Sequence, residues 1–218
     1  MNGPRTIHSA GHPEPRATRS TASAPSRATS EERSTTGELI ARLRSAVRLD
    51  EEAAIAHRIE EDLTELIEAG LELPEPLTRP LPDTYARRLL HREPDGSFSV
   101  VVMTWGAGQR TPIHDHAGIW CVEGVVDGRM RVERFELVDE EPGGRCRFAE
   151  RGAETAGVGS SGALIPPFEY HVLANALDDR RSVTLHVYGG DMDHCCTFEP
   201  AADGHWQRRE HRLSFHDD

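Results

Sequence analysis

The chain has 218 residues, 37% of them apolar, with 25 basic against 37 acidic side chains and a formal net charge of −12. That length suits one domain plus a tail, and the acidic balance argues against nucleic acid or an anionic membrane surface as a partner. No lysine occurs anywhere, so Schiff-base and P-loop lysine chemistry is excluded.

Four cysteines (Cys121, Cys146, Cys195, Cys196) form no CxxC and no zinc-finger spacing. No apolar run is long enough for a membrane span, and the N-terminus lacks a signal-peptide apolar region. The expectation is a cytoplasmic protein without a disulfide framework.

Residues 1–34 are rich in Ser, Thr, Pro, Arg and Ala and hold few large apolar groups, so a disordered tail is expected. Residues 35–83 read as a helical segment. In "TTGELIARLRSAVR", Leu39, Ile40, Leu43 and Val47 recur at helical spacing behind Thr35 or Thr36 as cap. A second helix, "LDEEAAIAHRIEEDLTELIEAG", takes Asp50 as its N-cap and Gly70 as the glycine past its end, with His57 on its surface. "LELPEPLTRPLPDT" is a proline-broken connector.

Residues 84–218 read as strands parted by Gly, Pro and Asp turns. "SFSVVVMTWG" predicts a buried strand, and "WCVEGVVDGRMRVERFELV" a hairpin turning at Asp127-Gly128. "GALIPPFEYHVLANA" and "SVTLHVYGG" add two or three strands, and "HWQRREHRLSFHDD" an edge strand or ordered arm. The fold class expected is mainly β, a sandwich or jelly-roll barrel preceded by two or three helices.

The chemistry concentrates in "GQRTPIHDHAGIWCVEGVVDG", Gly108 to Gly128. Alternation along a strand puts His114 and His116 on one face and Asp115 on the other. Two imidazoles there supply two ligands of a facial metal site. His171, among apolar residues about 55 positions later, is the best third ligand by its neighbours. The bland alternative is that each histidine sits in a barrel wall and merely hydrogen-bonds.

Gly108, five residues, His114-x-His116, four residues, Cys121, six residues and Gly128 together resemble the first cupin motif. His171, three residues and Asn175 resemble the second, with Phe168 where glycine is usual. Cysteine at position 121, where most cupins carry a ligating glutamate, is similar to the cysteine dioxygenase family. That resemblance spans roughly Thr84 to Pro200. It implies a cupin barrel with a non-haem Fe(II) held by His114, His116 and His171, leaving three positions for thiolate, amine and O2.

The same resemblance assigns the rest of the pocket. Thr184, His186 and Tyr188 alternate on one face of "SVTLHVY", like the family's Ser-x-His-x-Tyr, implying a relay that aims the Tyr188 phenol at the metal. Cys121 and Tyr188 are the pair that mammalian-type members join as a thioether. Tyr85 and Arg87 in "DTYARRLL" resemble a Tyr-x-Arg whose arginine grips the substrate carboxylate, with Arg88 as fallback. Trp105 and Trp120 are expected around the pocket or equally as plain core, and Cys195 near the pocket mouth. The adjacent cysteines of "DHCC" do not suit one tetrahedral zinc, and His194, His205, His211 and His216 are expected in solvent.

The activity implied is oxidation of L-cysteine by O2 to cysteine sulfinate, by a monomer with no nucleic-acid or membrane partner. A dioxygenase of another thiol, such as 3-mercaptopropionate, is the nearest alternative, and a non-enzymatic metal-binding cupin a more distant one.

Overall fold

A computed structural model describes residues 35–201 and 204–216. The disordered tail expected over 1–34 lies outside them. Helix α1 (Thr36–Ala46) begins where the Thr35 hydroxyl accepts from the Glu38 amide at 3.2 Å. Helix α2 (Glu52–Glu68) starts differently from expectation. Its N-cap is Glu51, not Asp50, and no side chain caps it. Gly70, at φ 80°, ends it in the left-handed conformation as expected. Beyond it, residues Glu75–Thr78 make one short 3-10 turn led by Pro74. His57 is exposed on α2. Among the described residues no helix is long and apolar enough to cross a membrane.

The strands form two antiparallel sheets. The first has the order β1-β2-β9-β4-β7, from β1 (Ala86–Arg92), β2 (Ser99–Trp105), β4 (Cys121–Asp127), β7 (Ser161–Leu164) and β9 (Ser182–Tyr188). The second comprises β3 (Ile113–His114), β5 (Arg129–Glu141), β6 (Arg145–Gly157), β8 (His171–Asn175), β10 (His194–Pro200) and β11 (Trp206–Arg212). It closes on itself in the order β10-β11-β6-β5-β8-β3. This is the expected mainly-β architecture, with two helices ahead of the strands.

Alternation sorts the first sheet into two buried faces. Val100 and Val102 of β2, Val122 of β4, and Val183, Leu185 and Val187 of β9 share one core with Leu39, Leu43, Ile59, Leu63 and Leu66 of the helices. The intervening Val101, Met103, Trp105, Cys121 and Tyr188 belong to a second core inside the barrel. The helices therefore keep water from the apolar outer face of this sheet, whose inner face also carries Glu123, Thr184 and His186. Gly124 on β4 makes the contact close, because a Cβ there would lie 2.8 Å from Ile67 Cδ1 of α2.

The hairpin expected at Asp127-Gly128 does not form. β4 pairs with β7 and β9, whereas β5 pairs with β6 and β8. Asp127-Gly128 is instead a corner where the chain leaves one sheet for the other. Gly128 is required there, since its φ is 79° and a Cβ would sit 2.4 Å from Ser182 Oγ. The real hairpin joins β5 to β6, turning between Glu141 and Arg145 through Gly143 and Gly144. β11 is not an edge strand, as it lies between β10 and β6.

Asn175 of the second motif ties the barrel shut. Its amide donates to the carbonyls of Trp105, Gly106 and Arg180 and accepts from the Leu177 amide and the Ser182 hydroxyl. Every polar site of the side chain is used, so its role is structural.

Candidate metal centre

Strand pairing sets His114 of β3 directly opposite His171 of β8. His116 lies beyond the end of β3, so strand alternation alone does not place it. A turn does: the Asp115 carboxylate accepts from the amides of Cys196 (2.7 Å) and Ala117 (3.2 Å), and Ala117 takes φ 55°. The three imidazole centroids end 4.5–5.2 Å apart, with one ring nitrogen of each within 4.8 Å of the others.

Each ring is oriented by an oxygen behind it. His114 Nδ1 is 3.2 Å from Pro112 O, His116 Nδ1 3.1 Å from Glu169 Oε2, and His171 Nδ1 2.8 Å from Glu169 O. A carbonyl only accepts, so Nδ1 carries the proton in His114 and His171, and the Glu169 carboxylate selects the same tautomer in His116. All three Nε2 lone pairs then face inward. His116 Nε2 and His171 Nε2 are buried without a hydrogen-bond partner. Three neutral imidazoles converging this way fit a divalent cation and leave two buried acceptors stranded without one.

Electrostatics agree with neutral donors at two positions. Burial, reinforced by His171, lowers His114 to about 3 and holds His116 well below its ordinary value. At His171 burial also pulls downward, but the Glu123 carboxylate outweighs it and the net shift is upward. Burial raises Glu169 to about 7.

The β9 triplet departs from the relay expected of it. Trp105 Nε1 donates to Thr184 Oγ1 at 2.9 Å, which frees the hydroxyl proton for His186 Nε2 at 2.7 Å. The remaining nitrogen, His186 Nδ1, lies 3.0 Å from Glu123 Oε1. Both nitrogens of His186 are thus directed to Thr184 and Glu123, and its ring merely stacks beside Tyr188 at 6.0 Å between centroids. Tyr188 lines the same cavity as Arg87. Burial lifts its phenol well above the usual value, Cys121 adds to that, and the positive charge of Arg87 opposes it. Cys121 pairs directly across the sheet with Tyr188, and Glu123 with His186.

Arg87 is buried on the cavity wall, donating to Met192 O at 3.2 Å and Ser214 O at 3.3 Å and lying over the Phe215 ring. Tyr85 stacks on Trp105 with centroids 4.7 Å apart. Arg88 faces the other way and donates to Arg79 O, so the fallback assignment is not supported. The cavity between the sheets holds about 420 Å³, lined by Arg87, His114, His116, Glu123, His186 and Tyr188 among others.

Further expectations need correcting. Trp120 lies in the core under the helices, not around the cavity. His211 lines the cavity, and His216 Nδ1 accepts from the Arg87 amide at 3.1 Å, so neither is simply solvated. Cys195 does line the cavity. Among the described residues no cluster of metal donors includes Cys195 or Cys196. Sequence reasoning missed Glu123 and Glu169. Glu123 stands two residues after Cys121, on the same strand face, which was the available signal; Glu169 stands at the same interval before His171.

Comparison with known proteins agrees with this geometry. The family model described as cysteine dioxygenase type I matches residues 27–201. Rat cysteine dioxygenase type 1 is 24% identical over 132 residues, covering 61% of this chain and 62% of the rat protein. The human protein of the same name is 25% identical over 135 residues, with the same coverage. The chain thus spans about three-fifths of the length of these curated relatives. A crystal structure of a protein from Thermus thermophilus is 16% identical with a TM-score of 0.42, covering 55% of this chain and 95% of that one.

Proposed function

The chain belongs to the cysteine dioxygenase type I family, and we propose that it oxidises L-cysteine with O2 to cysteine sulfinate at a ferrous ion held by His114, His116 and His171. The observation that carries this reading is the common tautomer of the three histidines, each Nδ1 tied to an oxygen and each Nε2 turned to one point. Bound there, iron supplies the redox chemistry and acidifies a coordinated thiol.

The chain's own groups orient the substrate. Arg87, permanently charged and buried beside Tyr188, grips the carboxylate and fixes the substrate's register. Tyr188 keeps its phenolic proton at neutral pH and donates it as a hydrogen bond toward the reacting atoms. Tyr85, stacked on Trp105, closes the side of the cavity next to Arg87 and excludes water. Cys121 and Tyr188, paired across β4 and β9, are the residues that would form a thioether, each losing one hydrogen to an oxidant. Intact mass before and after turnover reports that loss.

Size alone does not select the thiol, because the cavity of about 420 Å³ exceeds any one small thiol. 3-Mercaptopropionate carries the same carboxylate and is the alternative; cysteamine lacks one and would leave Arg87 buried without its partner. O2 uptake by iron-loaded protein, offered the three thiols in parallel, tests the reading. Preference for L-cysteine, with KM raised at least about tenfold in Arg87→Gln, about 1.4 kcal/mol of binding, is expected. No uptake with any thiol would overturn it.

A further inference from the structure

We propose that Glu123 is a fourth protein ligand of the metal, so that the centre is three histidines and one carboxylate. The inference rests on the metal-site reading above but departs from the three-histidine set that the resemblance implies.

His171 meets Glu123 from the opposite sheet. Its Nδ1 proton is committed to Glu169 O at 2.8 Å, so the lone pair on Nε2 faces outward. What it faces, at 3.3 Å, is Glu123 Oε1. Two lone pairs this close repel unless a cation lies between them, a second ring proton in the metal-free protein or a metal ion in its place. The separation suits a shared ion, since two neighbouring ligands about 2.1 Å from one metal lie about 3.0–3.4 Å apart.

His186 Nδ1, which keeps the ring proton once Nε2 accepts from Thr184, lies 3.0 Å from the same oxygen but off the line of a hydrogen bond, as does the His171 contact. Glu123 Oε1, His116 Nε2, His171 Nε2 and His186 Nδ1 are therefore all buried without hydrogen-bond partners, in one place. A buried polar atom left unpaired loses its hydration with nothing in return, and a single cation would engage three of these four. Two donor clusters meet at His116, one with His114 and His171 and the other with Cys121 and Glu123.

Strand geometry explains why the carboxylate is not at the motif position. Cys121 and Glu123 lie on one face of β4, both pointing into the barrel. Cys121 falls opposite Tyr188 and Glu123 opposite His186. A glutamate two residues further along the same face reaches the same cavity. With a metal bound, such a centre would carry one positive charge fewer, and a chelating thiol would compete with Glu123.

The test is a cobalt(II) titration of the metal-free full chain, read by visible absorption and by competition with a chelator, without any thiol. Glu123→Gln should weaken cobalt binding at least about tenfold and change the absorption envelope, with the unfolding midpoint of the metal-free protein preserved. Glu123→Asp, which keeps the charge on a shorter arm, should fall between the two. If a variant fails to fold, the unmodified protein decides: its infrared carboxylate band should shift on cobalt binding. Unchanged affinity and spectrum in a folded Glu123→Gln, or no carboxylate shift, would overturn the proposal and leave the three-histidine centre standing. Failure of the unmodified protein to bind cobalt would overturn the centre itself, and the proposal with it.

Discussion

At the residue scale, the decisive atoms are ring nitrogens whose protons are fixed from behind. Glu169 illustrates how much depends on this. Its carboxylate accepts from both the backbone amide and Nδ1 of His116, at 2.8 and 3.1 Å. Glu169→Ala should free that ring to rotate and lower metal affinity about 10–100-fold, the usual cost of losing a ligand's orienting partner; chelator competition measures it. Thr184→Val should remove the acceptor of the buried Trp105 N–H and the donor to His186, costing about 1–3 kcal/mol in urea unfolding. The three histidines were legible in the sequence because HxH and a lone histidine among apolar residues are conspicuous patterns. Glu123 and Glu169 were not, because a glutamate near a motif is ordinarily a solvated charge; only the strand register and the turn before His171 reveal that these two face inward.

At the element scale, the two helices matter because they cover the apolar outer face of the first sheet. Leu63 of α2 is fully buried against that sheet. Leu63→Ala should cost about 2–5 kcal/mol by lost transfer energy and the cavity left behind, read as a shift in the denaturation midpoint. Asp62, buried on the same helix, accepts from Arg58 and Arg42. Helix spans, the buried β2 strand and the β9 pattern followed from periodicity. The Asp127-Gly128 hairpin did not, because Asp-Gly between two strand-like runs signals a tight turn equally well where the chain changes sheets. Pairing partners are long-range, and local composition is silent about them. The N-cap of α2 was misplaced by one residue, within the ordinary ambiguity of helix ends.

At the scale of the whole molecule, the site is assembled from distant segments. The first sheet supplies Glu123, His186 and Tyr188, and the second supplies His114 and His171. The segment after β11 closes over the far side of Arg87: the Leu213 amide donates to Asp193 O, the His216 amide to Arg87 O, and Ser214 O accepts from the guanidinium. Removing residues 213–218 should loosen Arg87 and raise KM for a carboxylate-bearing thiol by more than it lowers kcat, a split that steady-state kinetics resolves.

Insertion of both atoms of O2 into a small thiol is the proposed activity. Its most direct test supplies iron-loaded protein and L-cysteine with oxygen-18 gas in ordinary water, and weighs the sulfinate formed. Two labelled oxygens in the product are predicted. Sulfinate with one label or none, or cystine as the sole product, would contradict the account.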